Sequence, residues 1–234
     1  MTRTRLIRPL AVAAVVTAGL ALAIAPSTAH DPAGTVNDPH LEKFTSAPAN
    51  GDATALIGYA DVAGGDAPGS PAPKALRIET NANVAEPYSY AGAAIRKSGM
   101  EGKALGDVNR ISYKTKGYSG AGAPRLSMTL SNGTTVYLSS YYCSTDLAPT
   151  AWHKATFTAS YAADPTCTIY TPTTGYTSDA DSSAWDKLVA GEGPGVEIRQ
   201  IELVQDEGPG IVWVDDIRLD GLVFAGPTMW KHNH

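Results

Sequence analysis

Apolar residues recur in this chain mostly at every second position, the period of a half-buried strand. Lys74–Thr80 sets Leu76 and Ile78 on one side and Arg77 and Glu79 on the other. Arg110–Lys116 sets Ile111 and Tyr113 against Ser112, Lys114 and Lys116. Arg125–Leu130 and Thr135–Tyr142 flank Ser131-Asn132-Gly133-Thr134, and Asn-Gly accepts the positive φ angles of a tight hairpin turn. Leu126, Met128 and Leu130 then share a side with Val136 and Leu138. Further strands are predicted at 53–60, 152–158, 196–204 and 211–221. In 196–204 the apolar parity slips between Ile198 and Ile201, so a bulge is expected near Arg199–Gln200. Tyr88–Lys97 reads as either a strand or a short helix. Ser183-Ala-Trp-Asp186 has capping-box spacing before Leu188 and Val189, with Gly191 able to end the element. The pattern predicts an all-β, antiparallel sandwich with at most one or two short helices and no helix–strand alternation.

The ends read differently. Arg3, Arg5 and Arg8 precede an apolar run from Leu10 to Ala25 and the small residues Ser27-Thr-Ala29, the three parts of a secretory signal. Residues 1–29 are therefore expected to be removed and the protein to be secreted, without membrane insertion. Residues 30–50 read as an extended N-terminal arm, 51–227 as the sandwich domain, and 228–234 as a flexible tail. The whole chain has a formal charge of −5; losing three arginines leaves 15 Lys+Arg against 23 Asp+Glu, or −8. An acidic surface argues against nucleic acid and anionic membrane as partners and suits a soluble monomer. Cys143 and Cys167 are the two cysteines, and in an exported chain they are expected to form one disulfide. The closed loop of about 25 residues would stabilise the fold by roughly 3 kcal/mol.

Ile211-Val-Trp-Val-Asp-Asp-Ile-Arg-Leu-Asp-Gly221 follows the turn signal Glu207-Gly-Pro-Gly210. By parity, Asp215 shares a face with Ile211, Trp213, Ile217 and Leu219, and a buried carboxylate needs a partner, a hydrogen-bond cage or a cation. A hydrophobic run closing on Asp-Asp-Ile near the end of a β-rich chain resembles the last strand of jelly-roll carbohydrate-binding modules with a galactose-binding-like fold. Trp152, opening a strand before the final third, also occurs in those modules. The resemblance implies a jelly roll and a structural calcium ion at Asp215. Asp61 and Asp66 are candidate co-ligands, since calcium takes six to eight oxygens. The same carboxylate would equally be satisfied by backbone N–H groups at a strand end.

Candidate chemistry is sparse. The chain has no Gly-x-Ser-x-Gly elbow, phosphate-binding glycine loop or His-Glu-x-x-His motif. It also lacks the Glu-x-Asp-x-x-Glu strand of jelly-roll glucanases. Tyr137, Tyr141, Tyr142 and Trp152 are the candidate ligand-binding residues, because sugar C–H faces pack on aromatic rings. Tyrosine is also an ordinary strand residue with a polar handle. The expected function is carbohydrate binding without catalysis, with polysaccharide or another glycan as partner. A protein-interaction or envelope-associated module is the alternative. A further alternative is copper: cleavage after Ala29 would leave His30 first, offering its amine and imidazole, with His153 as a second ligand.

Overall fold

The computed structural model describes residues 39–46, 54–62, 67–68, 70, 74–81, 90–117, 124–143, 150–158, 168–172, 174–178, 182–206, 210–225 and 228–231. In chain order the elements are β1 (His40–Ser46), β2 (Thr54–Asp61), β3 (Lys74–Asn81), β4 (Tyr90–Arg96), β5 (Ile111–Gly117), β6 (Arg125–Leu130) and β7 (Thr135–Ser139). They continue with β8 (His153–Thr156), β9 (Thr168–Tyr170), β10 (Gly175–Thr177), the helix α1 (Ala184–Glu192), β11 (Ile198–Gln205), β12 (Gly210–Leu219), β13 (Leu222–Ala225) and β14 (Thr228–Lys231). Two short 3-10 turns lie at Leu105–Asp107 and Ser140–Tyr142.

The strands form two antiparallel sheets, so the protein is an all-β sandwich. One sheet runs β1-β4-β11-β6-β7-β9-β10. In the other, β12 is the hub: β3 and then β13 pair along one edge, and β5 along the other, with β2, β8 and β14 outside them. The inner faces meet in one core. Ile95, Leu126, Met128, Leu138, Ile201 and Leu203 come from the first sheet, and Leu76, Ile78, Ile111, Tyr113, Val212 and Val214 from the second.

The expected alternations in β3, β5, β6 and β7 hold, with every named apolar position buried. The slip in β11 is a bulge: the register against β6 shifts between Ile198 and Gln200. The β6–β7 turn needs one left-handed residue, Gly133 at φ 87°. Ser183 and Asp186 form both halves of the capping box, and α1 runs two residues further than Gly191 suggests, to a C-cap at Gly193. Gly191 serves packing instead: a Cβ there would lie 2.7 Å from the Tyr176 ring. Two segments expected to be irregular contain strands. Within the arm, β1 pairs with β4 along its whole length, and β14 pairs with β13.

The parity expected for β12 is wrong over its first half. Val212 and Val214 are buried, whereas Ile211 is exposed and Trp213 half-buried. Between Asp215 and Arg218 the register against β5 breaks, and Asp216 takes φ 50°. Two residues of β12, Asp216 and Ile217, thus oppose Tyr113 alone. This bulge exchanges the faces and returns Ile217 and Leu219 to the core. Branched residues at 211, 212 and 214 fit either parity, which hides the break from a reading of period alone.

Candidate ligand-binding face

The first sheet keeps one face away from the core, and its register carries a row of side chains across all seven strands. Glu42, Ala94, Glu202, Ser127, Tyr137, Tyr170 and Gly175 stand opposite one another in turn. Adjacent strands lie about 4.8 Å apart. The next row contains Phe44, Gly92, Val204 and Arg125. Gly92 is the low point of that row: a Cβ would meet the Leu203 carbonyl oxygen at 2.1 Å and the Phe44 ring at 2.6 Å. Phe44 packs edge-on against Tyr90, with ring centroids 6.1 Å apart.

The polar groups on this face are held by one another. The Arg125 guanidinium forks onto Asp206, with Nη1–Oδ1 at 2.7 Å and Nη2–Oδ2 at 2.6 Å. It also lies over the Tyr137 ring, 4.8 Å from its centroid. This bidentate geometry fixes both side chains. Gln200 Nε2 donates to Glu202 Oε1, and Arg96 Nε donates to Glu42 Oε2 at 2.8 Å. Tyr170 is 38% exposed and presents a tyrosine ring on this face. Its neighbour Gly175 carries no side chain to cover it; even a Cβ there would only reach the ring edge at 3.6 Å.

Such a surface offers flat apolar rings beside fixed donors and acceptors. Its Glu202–Asp206 pair does not suit two-carboxylate hydrolysis. Asp206 follows the end of β11 and lies four residues from Glu202, roughly 13 Å by strand rise. That exceeds the ~5–9.5 Å that separates paired glycosidase carboxyls, and Asp206 is engaged by Arg125.

The residues expected from the sequence are scattered. Tyr137 is on this face. Tyr141 is exposed in the 3-10 turn after β7, and the Tyr142 side chain lies outside what is described. Trp152 leads into β8 of the other sheet and is half-buried. Tyr137 and Trp152 are therefore carried by different sheets. Tyr170 and Arg125 were not anticipated. Arg125, Ser127 and Tyr137 were legible as a polar parity, but Tyr170 sits in a strand of three residues, too short to show a period.

Asp215 is buried, at 2% exposure, and has an interaction partner. Its charge, after burial, helps raise the Tyr59 phenol above its ordinary value. Asp61 is exposed at the end of β2, opposite Lys74, and Asp66 lies outside the described residues. Among the described residues no three His, Cys, Asp or Glu side chains gather as metal ligands. Of the copper pair, His153 is half-buried on β8 and His30 lies outside the described residues. Cys143 is buried, with its sulfur 3.4 Å from the Ser139 carbonyl oxygen; Cys167 lies outside the described residues. Among the described residues no cysteine is free, and no helix is long and apolar enough to cross a membrane.

No protein-family profile matches the chain, and no characterised protein or solved structure matches it either.

Proposed function

We propose that the protein is a secreted β-sandwich that binds carbohydrate on the outer face of its β1–β10 sheet and catalyses no reaction. The observation that carries this reading is the in-register row from Ser127 through Tyr137 to Tyr170, with the Arg125–Asp206 fork beside it. Tyr170 supplies a ring for sugar C–H groups, and Arg125, Asp206, Gln200 and Glu202 supply the polar edge. The paired charges favour a neutral glycan over an anionic one. The closing Asp215-Asp216-Ile217 supports the likeness to jelly-roll carbohydrate-binding modules, and calcium at Asp215 is proposed on that likeness alone.

Retention on insoluble polysaccharides, followed by a glycan array, tests this. The wild type is expected to bind at least one glycan. Tyr170→Ala should weaken that binding about tenfold, equivalent to ~1.4 kcal/mol. A folded protein that binds no glycan would overturn the reading and leave the face as a protein-docking surface.

A further inference from the structure

The other sheet carries a second polar constellation, on β12, β5 and β8. Lys114 stands directly opposite Lys154, and Ser112 stands between Arg218 and Thr156. Arg110 precedes Ser112 by two residues. Asp216 is set among these cations, 2.8 Å from Lys114 Nζ and 2.6 Å from Arg218 Nε. Lys114 also donates to the Pro68 carbonyl oxygen at 2.5 Å. Among the described residues Lys154 has no ion pair.

Like charges directly opposite on adjacent strands oppose pairing, and this pair lies at the sheet edge formed by β8. The repulsion registers on Lys154. Burial, and then Arg110, Arg218 and Lys114, make its ammonium easier to deprotonate than an ordinary lysine, against the pull of Asp216. A separate observation points the same way. Ser112 is 1% exposed, and its hydroxyl has no hydrogen-bond partner among the described residues. A buried hydroxyl normally finds one. Here it lies at the centre of the cluster, with cations before it, after it and across from it.

We propose that this face binds a tetrahedral oxyanion, sulfate or phosphate, between Lys154, Arg218 and the Ser112 hydroxyl. Donors on three adjacent strands suit an anion with acceptor oxygens in several directions, and the charges of Arg110 and Lys114 add to its attraction. Bound there, the anion offsets the facing charges of Lys114 and Lys154 and accepts a hydrogen bond from the Ser112 hydroxyl. The site is independent of the proposed glycan face, which belongs to the other sheet.

The test is titration of the folded full chain with sodium sulfate and with sodium phosphate at fixed ionic strength, followed by amide shifts of β5, β8 and β12. Saturable binding is expected. It should weaken about tenfold in Lys154→Gln, the loss of one charge-assisted hydrogen bond, and measurably in Ser112→Ala. Tyr170→Ala should leave it unchanged. Retention on dextran sulfate but not on dextran would assign the anion to a polymer ester, and retention on neither to a free ion. Absence of saturation, equal response to acetate, or affinity indifferent to both substitutions would overturn the proposal.

Discussion

Lys114 on β5 and Asp216 on β12 meet 2.8 Å apart, at the point where β12 takes in its extra residue. Asp216 is 2% exposed and holds Arg218 as well, so the bulge both turns the backbone and buries a charge. Removing one partner of such a pair leaves the others desolvated, at about 3–5 kcal/mol. Asp216→Ala should lose that much stability in urea. Asp216→Asn separates the two effects, because asparagine tolerates φ 50° but brings no charge. It should lose most of the same amount. An Asn variant as stable as wild type would mean that the bulge needs only the backbone conformation.

Tyr113 stitches the two sheets through its hydroxyl. The oxygen accepts from the Ser140 backbone N–H at 2.8 Å and lies 3.0 Å from the carbonyl oxygens of Pro124 and Leu138. Burial keeps this phenol protonated far above the usual range. The ring stacks on Phe157 at 5.9 Å. Tyr113→Phe keeps the ring and strands the Ser140 N–H, so a loss of about 1–3 kcal/mol is expected in chemical denaturation. A neutral result would show that water replaces the phenol.

Glu192 ties the end of α1 to the sheet. Burial pushes its carboxyl up, but hydrogen bonds from Asn132, Tyr176 and Thr134 outweigh this and hold it below the ordinary 4.5. Their lengths are 2.9, 2.9 and 3.0 Å. A depressed carboxyl contributes stability that is present above its unfolded value and lost as pH falls through its folded one. Glu192→Gln should therefore be less stable than wild type at pH 7, with the gap closing as pH falls below about 4.5. Solvent screening keeps the effect small. Urea midpoints across that range measure it, and a gap independent of pH would contradict the argument.

The calcium proposal rests on Asp215. If calcium binds only the native state, about 100 times Kd of the free ion stabilises by roughly 2.7 kcal/mol. Chelator should lower the melting temperature, and calcium but not equal magnesium should restore it. Asp215→Asn should remove most of the response. Protein shown to be metal-free and melting at the same temperature with and without chelator would leave Asp215 to protein partners alone.

The disulfide proposed between Cys143 and Cys167 predicts no free thiol in the denatured, unreduced protein. Two equivalents on titration would refute it.

What was legible in the chain follows from where period 2 operates undisturbed. Leu76, Ile78, Ile111, Tyr113 and the hairpin from Arg125 to Ser139 declared both strand and face, because each has polar residues between its apolar ones. The bulge in β11 was visible because Ile198 and Ile201 disagree in parity. The one in β12 was not, because Ile211, Val212 and Val214 agree with either choice. β1 was missed because Leu41 and Phe44 fall on opposite parities among polar neighbours. The candidate face depends on register between distant strands. No local pattern places Tyr170 opposite Tyr137 or Asp206 against Arg125.

β11 and β12 are consecutive in the chain, and they lie in the interior of the two sheets: β11 joins β4 to β6, and β12 joins β3 to β5. Among the described strands, β3, β4, β5 and β6 thus await a central partner made late. Among the described strands, the pairings that can close earlier are β1–β4, β2–β3, β5–β8 and the β6–β7–β9–β10 ribbon. Loop-closure entropy must be met before these distant pairings form, which makes folding slow. The two sheets would remain largely open until β11 and β12 are available, so the order of the strands along the chain itself delays the core.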